Sequence, residues 1–408
     1  MLFRSEIPTP PKSVCPDNAP VKTFNVVSMD KELNLNPKAP DVIEVDFERK
    51  ILMRNPQGKI YALEDEATKV AQGLTPSPLT LHVNAGDCVK INLKNKMANS
   101  RASFSAFSLA FDPKDSLGAN VGNNGGDQTI GPGGSRTYTY YAHPFNGEIT
   151  SLVWDWGNVM LNPRDGLFGA IVVGPKGSKY RDPKTGEDIS QKNSWIADVI
   201  VDRTIEGNEG RTNYRDVALF FQDEDNIIGT SFMPYVQNVA GLAAVNYRSE
   251  PYKAREERGC DLGHMFQPCK VDKPEDPVTP LIMAHAGDPV RIHILGANNE
   301  QNQIFGLEKH EWPIEPFMRG ADVLSAVQFS GAEVLDAFIP SAGGPYKLPG
   351  DYVWGNQRLP YSQSGQWGYF RVLPAGDSRI LPLSKSDVGS QKAEAQPAEG
   401  QALPTALK

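Results

Sequence analysis

One run of residues occurs twice, and it sets the architecture. Leu79 to Leu93 reads LTLHVNAGDCVKINL, and Leu281 to Leu295 reads LIMAHAGDPVRIHIL. Each copy is an apolar strand, an Ala-Gly-Asp turn and a second strand whose alternate positions are aliphatic. A period of two puts every second side chain on one face, so each copy needs a sheet with a buried face. Two such copies about 200 residues apart predict two domains of one type. His82 and His285 occupy nearly the same place in the repeat. That implies a structural role at a strand end, since one imidazole makes no metal site.

At 408 residues the chain exceeds one ordinary core and suits two domains with extensions. Its 37 glycines and 33 prolines imply many turns and few long helices. Short strands such as KIYALE, LTLHVN and DCVKINLKN, each bounded by turn residues, predict an all-β chain of Greek-key β-sandwiches. The expected boundaries are a Pro-rich arm over 1–20, a first domain over 21–180, an extended linker over 181–213 and a second domain over 214–375. Residues 376–408, polar and rich in Pro, Ala and Gln, read as a disordered tail. A net charge of −8 argues against nucleic acid as a partner. No apolar run reaches the ~20 residues needed to span a bilayer.

Two segments carry the frame of a metal site without its ligands. Pro349 to Val372 reads PGDYVWGNQRLPYSQSGQWGYFRV, and Gln303 to Trp312 reads QIFGLEKHEW. They resemble the multicopper oxidase family, built of cupredoxin domains. Its C-terminal copper motif reads Pro-Gly-x-Trp-x-x-His-Cys-His-Ile-x-x-His-x-x-x-Gly-Met. Laid on without a gap, Pro349, Gly350 and Gly365 match. Gly355 falls on the first histidine, Asn356 on the cysteine, Gln357 and Tyr361 on the next two histidines, and Gln366 on the axial methionine. In the other segment, Gln303 takes a blue-copper histidine, and Gly306 and Glu308 take a His-x-His pair. His310 is kept at a position that is not a ligand. In the N-terminal half of the chain, Tyr138 to Val173 also resembles the family. There Trp154 and Trp156 fall on a His-x-His pair, or Trp156 and Asn158 in the other register. Ser105 and Phe107 lie near an earlier pair.

A blue copper site needs a thiolate, two imidazoles and a weak axial group. Asn, Gln and Gly cannot replace them, and the chain's six histidines include no His-x-His pair. The resemblance therefore implies a tandem cupredoxin with no copper of its own and no catalytic residues. It would act as a structural or interaction subunit of a larger redox assembly, beside a protein partner such as copper-bearing cupredoxin domains or a redox protein. Alternatives are an oxidase subunit or fragment whose copper lies on another chain or missing domains, and a small-ligand module reusing the vacant clefts. Trp154 and Trp156 are expected to pack in the core. Glu308, Gln357 and Tyr361 are expected to fill the second site, with Glu308 buried against Gln357 or His310.

The resemblance also implies an extracellular or periplasmic protein. The opening MLFRSEIPTPPKSV has no apolar h-region, so a leader is expected to be absent from this sequence. Of the four cysteines, Cys260 and Cys269 are close enough for a local disulfide, leaving Cys15 and Cys88 as the other pair. Three pairings are open. The oxygen-rich run Gln222 to Asn226 is read as a solvated loop before a calcium site. No Cys-x-x-Cys-His and no Gly-x-Ser-x-Gly is present.

Overall fold

The computed structural model describes residues 13–44, 50–223, 243–268, 275–316, 318 and 320–383. The first half runs through β1 (Val21–Asp30), β2 (Lys59–Leu63), β3 (Leu79–Asn84), β4 (Cys88–Asn95) and β5 (Ser105–Ala106). It continues through β6 (Ala110–Phe111), β7 (Ser135–Tyr141), β8 (Thr150–Trp154) and β9 (Gly169–Gly174). The second half runs through β10 (Lys179–Arg181), β11 (Ile196–Ile200), β12 (Tyr214–Asp223), β13 (Ala243–Val245), β14 (Ile282–His285) and β15 (Val290–Asn298). It ends with β16 (Gln303–Leu307), β17 (Ala326–Phe329), β18 (Val334–Ile339), β19 (Gly350–Asn356) and β20 (Trp367–Leu373). Among the described residues no helix is long and apolar enough to cross a membrane.

The first sandwich packs a five-stranded sheet, in order β6-β7-β4-β1-β2, on a four-stranded sheet, in order β3-β9-β8-β5. The second packs β10-β11-β12-β15-β18, with β13 against β12, on the five-stranded β14-β20-β19-β16-β17. The all-β, two-sandwich expectation holds. The halves correspond strand for strand: β1 runs parallel to β4 as β12 does to β15, and β3 parallel to β9 as β14 does to β20. Each sandwich encloses its own core. Leu81, Ile91, Tyr138 and Ile171 lie in the first, and Leu219, Ile292, Trp354 and Phe370 in the second.

The repeated turn is the same turn twice. Gly86 and Gly287 have φ of +95° and +93°, where a side chain would be strained. Asn84 N donates to Asp87 Oδ2, and His285 N donates to Asp288 Oδ2, both at 2.9 Å. Gly86 N donates to Ala142 O, and Gly287 N to Ala342 O. The aligned turns put His285 opposite Asn84, so His82 lies two residues from the equivalent position. The two imidazoles still do one job. His82 Nε2 contacts Ser194 O at 3.0 Å, and His285 Nε2 contacts Asp377 O at 2.8 Å, each tying a crossing segment to a strand end.

Three boundaries differ from the expectations. The 181–213 stretch is more than a linker, because β11 within it pairs antiparallel with β12. Its Asp198 is buried because Arg215, itself fully buried, donates to it from Nη1 at 2.6 Å. The same guanidinium donates to Asp288 Oδ2 at 2.8 Å and to Leu381 O at 2.7 Å. The chain beyond 375 is thereby held against the second sandwich, with Ile380 and Leu383 buried. Residues 384–408, the rest of the expected tail, lie outside the described residues. At the other end Cys15 is bonded to Cys88, with 73 residues between them in sequence, so the expected arm is pinned to the start of β4. Cys260 is also in a disulfide. Its expected partner, Cys269, lies outside the described residues.

A third apolar cluster joins the sandwiches. It contains Val27, Ile60, Leu152, Phe168 and Ala170 from the first half, and Ala218, Phe220, Ala244, Tyr247 and Leu295 from the second. The rings of Phe168 and Phe220 stack with centroids 5.9 Å apart. Tyr247 donates its hydroxyl to Gly166 O at 2.5 Å. β12 has all of its residues buried because one face covers the second core and the other covers this seam.

Candidate functional site

The residues on the blue-copper positions of the motif come together. β16 and β19 are antiparallel neighbours, with Phe305 opposite Asn356 and Gly306 opposite Gly355. A short helix, α1 (Leu359–Gln363), then carries Tyr361 back, and Gly365 at φ +113° turns the chain into Gln366 and β20. Gln303, Asn356, Tyr361 and Gln366 are all buried. Asn356 Nδ2 donates to Gln303 Oε1 at 3.1 Å and to Gln366 Oε1 at 2.8 Å. Asn356 Oδ1 accepts from Arg358 N at 3.0 Å. Gln366 Nε2 donates to Gln222 O at 2.9 Å. Gln303 Nε2 donates to the Asp223 carboxylate. The group is a chain of amides in which each named donor meets an oxygen, as buried polar groups require.

Asp223 is the one carboxylate bonded to the group. Burial pushes its carboxyl up to about 7, against the hydrogen bonds from Glu300 N, Gln303 and Tyr361. The folded state therefore holds this proton more tightly than the unfolded chain, whose carboxyl has the ordinary value of 3.8. The stability linked to this group is complete below the unfolded value and is lost as pH rises through about 7. Asp223→Asn, neutral throughout, is expected to gain stability relative to the native chain between about pH 5 and 8. Thermal melts at the two pH values check this. Parallel loss in both proteins would show that Asp223 does not titrate in the window.

The neighbouring positions leave no room for imidazoles. A Cβ on Gly306 would stand 2.4 Å from Gln357 Nε2, and one on Gly355 would stand 2.8 Å from Trp367 Cβ and 2.9 Å from Gln366 O. Gln357 thus lies over Gly306, although it is exposed on its outer side. Glu308, expected to be buried, is exposed, and its carboxylate accepts from Val353 N at 3.3 Å. The side chains alternate along this edge, so Leu307 faces the core and Glu308 faces water. His310 is buried and structural. Its Nε2 accepts from Gly343 N at 2.9 Å, which leaves Nδ1 to donate to Glu308 O at 2.7 Å. Burial lowers its pKa, consistent with a neutral ring.

In the first sandwich the buried residue between the tryptophans is Asp155. It accepts from Ser103 N at 2.6 Å and from Asn162 Nδ2 at 2.8 Å, and burial raises its carboxyl to about 6. Trp154 and Trp156 point the other way. Trp154 is half-buried against the cluster between the sandwiches, and Trp156 is 36 % exposed, so it is not a core residue as expected. Their rings group with that of Phe107, the Trp156 pair lying 6.1 Å apart and stacked. Ser105 pairs with Trp154 across β5 and β8. Asn158 N donates to Asp155 Oδ2 at 3.1 Å. Of the oxygen-rich run, Gln222 and Asp223 are buried, and 224–226 lie outside the described residues.

A buried ionic network at the seam was not found from sequence. His293 Nε2 faces Asp216 Oδ1 at 2.8 Å, and His293 Nδ1 faces Asp336 Oδ1 at 2.5 Å and Thr150 Oγ1 at 2.7 Å. Arg291, two residues before His293, pairs with Glu148 of the first half. The available signal was Arg291 and His293 on one face of a strand otherwise aliphatic. Among the described residues no group of His, Cys, Asp and Glu is arranged to hold a metal ion. The amide and phenol donors at Gln303, Asn356, Tyr361 and Gln366 do not fit copper, which prefers sulfur and imidazole.

No protein-family profile matches the chain, and no curated protein sequence does. Solved structures match over most of it. A copper nitrite reductase from Nitrosomonas europaea covers 90 % of this chain and 99 % of its own, at 13 % identity and a TM-score of 0.52. A multicopper oxidase covers 88 % and 92 %, at 16 % identity and a TM-score of 0.50. A multicopper oxidase from Pseudomonas thermotolerans covers 90 % of this chain and 68 % of its own, at 12 % identity and a TM-score of 0.52. These likenesses establish the fold, a tandem of cupredoxin-like sandwiches.

Proposed function

We propose that this tandem cupredoxin carries no copper of its own and serves as a structural or interaction subunit of a larger redox assembly. One observation carries the reading. The four blue-copper positions are occupied by Gln303, Asn356, Tyr361 and Gln366, and the three amides among them are bonded to one another. A site already closed by its own hydrogen bonds offers copper neither a thiolate nor an open imidazole. Gly306 and Gly355, on two further histidine positions of the motif, are packed against Gln357 and Trp367. The same filling weighs against a small ligand in the vacated clefts. The net charge of −8 gives no reason to invoke nucleic acid, and the partner is taken to be a protein that brings any copper the assembly uses. The Cys15–Cys88 disulfide supports an oxidising compartment, extracellular or periplasmic.

Copper loading tests the reading. The purified chain is expected to stay colourless after incubation with copper and gel filtration, with far less than one copper per chain by elemental analysis. Single histidine substitutions, Gln303→His or Tyr361→His, are expected not to change this. An intense band near 600 nm, roughly where a cysteine–copper site absorbs, or one retained copper per chain, would overturn it.

A further inference from the structure

We propose that residues 1–12 of this chain dock, through Pro8 and Pro11, into an apolar groove on the first sandwich. The groove encloses about 240 Å³ and is walled by Phe107, Phe111, Leu117, Val121 and Trp156. It lies between β5 and β6, the strands that end the two sheets. All of its lining residues are described, and residues 1–12 lie outside the described residues. Phe107 and Trp156 stack with centroids 6.1 Å apart, yet they are 37 % and 36 % exposed. Phe111 stands edge-on to Tyr140, which fixes its ring. Trp156 is anchored by its backbone N, which donates to Ser103 Oγ at 2.8 Å, while its indole N–H donates to no described residue.

Flat rings beside one free N–H donor suit a polyproline II segment. Such a segment arrives with its shape set and keeps its carbonyls free to accept, because it makes no internal hydrogen bonds. The sequence supplies one in Pro8-Thr9-Pro10-Pro11, within MLFRSEIPTPPK. Three residues per turn put Pro8 and Pro11 on one face. Position and length favour this occupant over a second chain. Cys15 is bonded to Cys88, and its Sγ lies 3.5 Å from Tyr140 O. Tyr140 and Tyr141 of β7 pair with Val89 and Cys88 on one side, and with Phe111 and Ala110 on the other. Phe111 therefore stands two strands from the disulfide, about 10 Å at the usual strand spacing. Pro11 and Pro8 precede Cys15 by four and seven residues, a reach of about 12–22 Å in polyproline II. The disulfide thus delivers the segment to the groove at high effective concentration.

Photo-crosslinking of the full chain tests this, with Ile7 replaced by p-benzoylphenylalanine and the products mapped by mass spectrometry. An intramolecular crosslink to residues 105–121 or 154–160 is expected. Trp156→Ala, which removes the ring with the free N–H, is expected to lower its yield by about five-fold or more. The pair Pro8→Gly and Pro11→Gly, which leaves the sandwich untouched, is expected to do the same. Circular dichroism shows whether each variant keeps its fold. No intramolecular crosslink, a crosslink to another part of the chain, or an unchanged yield in the folded variants would each overturn the proposal. Crosslinks found only between chains would overturn it in favour of a second copy as the occupant.

Discussion

Replacing His293 with leucine is expected to lower stability by about 3–5 kcal/mol, the range for breaking a buried ion pair by removing one partner. The imidazole is fully buried between Asp216 and Asp336, with both nitrogens on carboxylates. Burial alone pushes its pKa down, but the two carboxylates, by charge and by hydrogen bonding, outweigh this and hold it at about 9. The ring is therefore charged at neutral pH. Leucine fills the volume and leaves Asp216 buried beside His82, whose own pKa burial lowers. The sign of the pH dependence follows. A folded value raised above the ordinary 6.5 contributes stability that is complete below 6.5 and lost as pH rises through about 9. The gap between native and variant proteins should narrow between about pH 6 and 9.5. Denaturant titrations at both values measure it. A gap of the same size at each would mean that His293 does not titrate there.

Phe220→Ala is expected to cost about 3–5 kcal/mol and to weaken both sandwiches at once. The ring has no exposed surface and stacks on Phe168 of the other half. Because the seam is a core shared by both, the native chain is expected to melt in a single calorimetric transition, and the variant in one transition at lower temperature. Two separated transitions in the native chain would show that the sandwiches unfold independently and that the seam couples them little.

Much of the fold was legible because one side of most strands faces a core. In β4 the pattern CVKINLKN buries alternate residues from Val89 onward, as the letters suggest. The repeated Ala-Gly-Asp turn was readable because only glycine suits its backbone, and the aspartate caps it from a fixed distance. The copper-motif frame was readable in the same way, through Pro349, Gly350 and Gly365. Period-two reasoning fails where both faces are buried. β12 reads as Tyr-Arg-Asp before its aliphatic run, and nothing local shows that Arg215 and Asp216 are internal. Their partners are Asp198 and His293 from other strands and Asp288 from the repeated turn. Glu308 and Trp156 were misplaced for a different reason. The motif gives a position along the chain, while exposure depends on which face the strand turns outward and on where the sheet ends.

The facing glycines of β16 and β19 also limit how this sequence can change. An imidazole at 306 requires Gln357 to move first, and one at 355 requires Trp367 or the backbone at Gln366 to give way. Each lone histidine would disturb a close-packed strand pair while supplying too few ligands to hold a metal. Single-step routes toward a copper site therefore descend in stability before any binding energy arrives. The pair acts as a ratchet, because a metal site at these positions requires several substitutions at once.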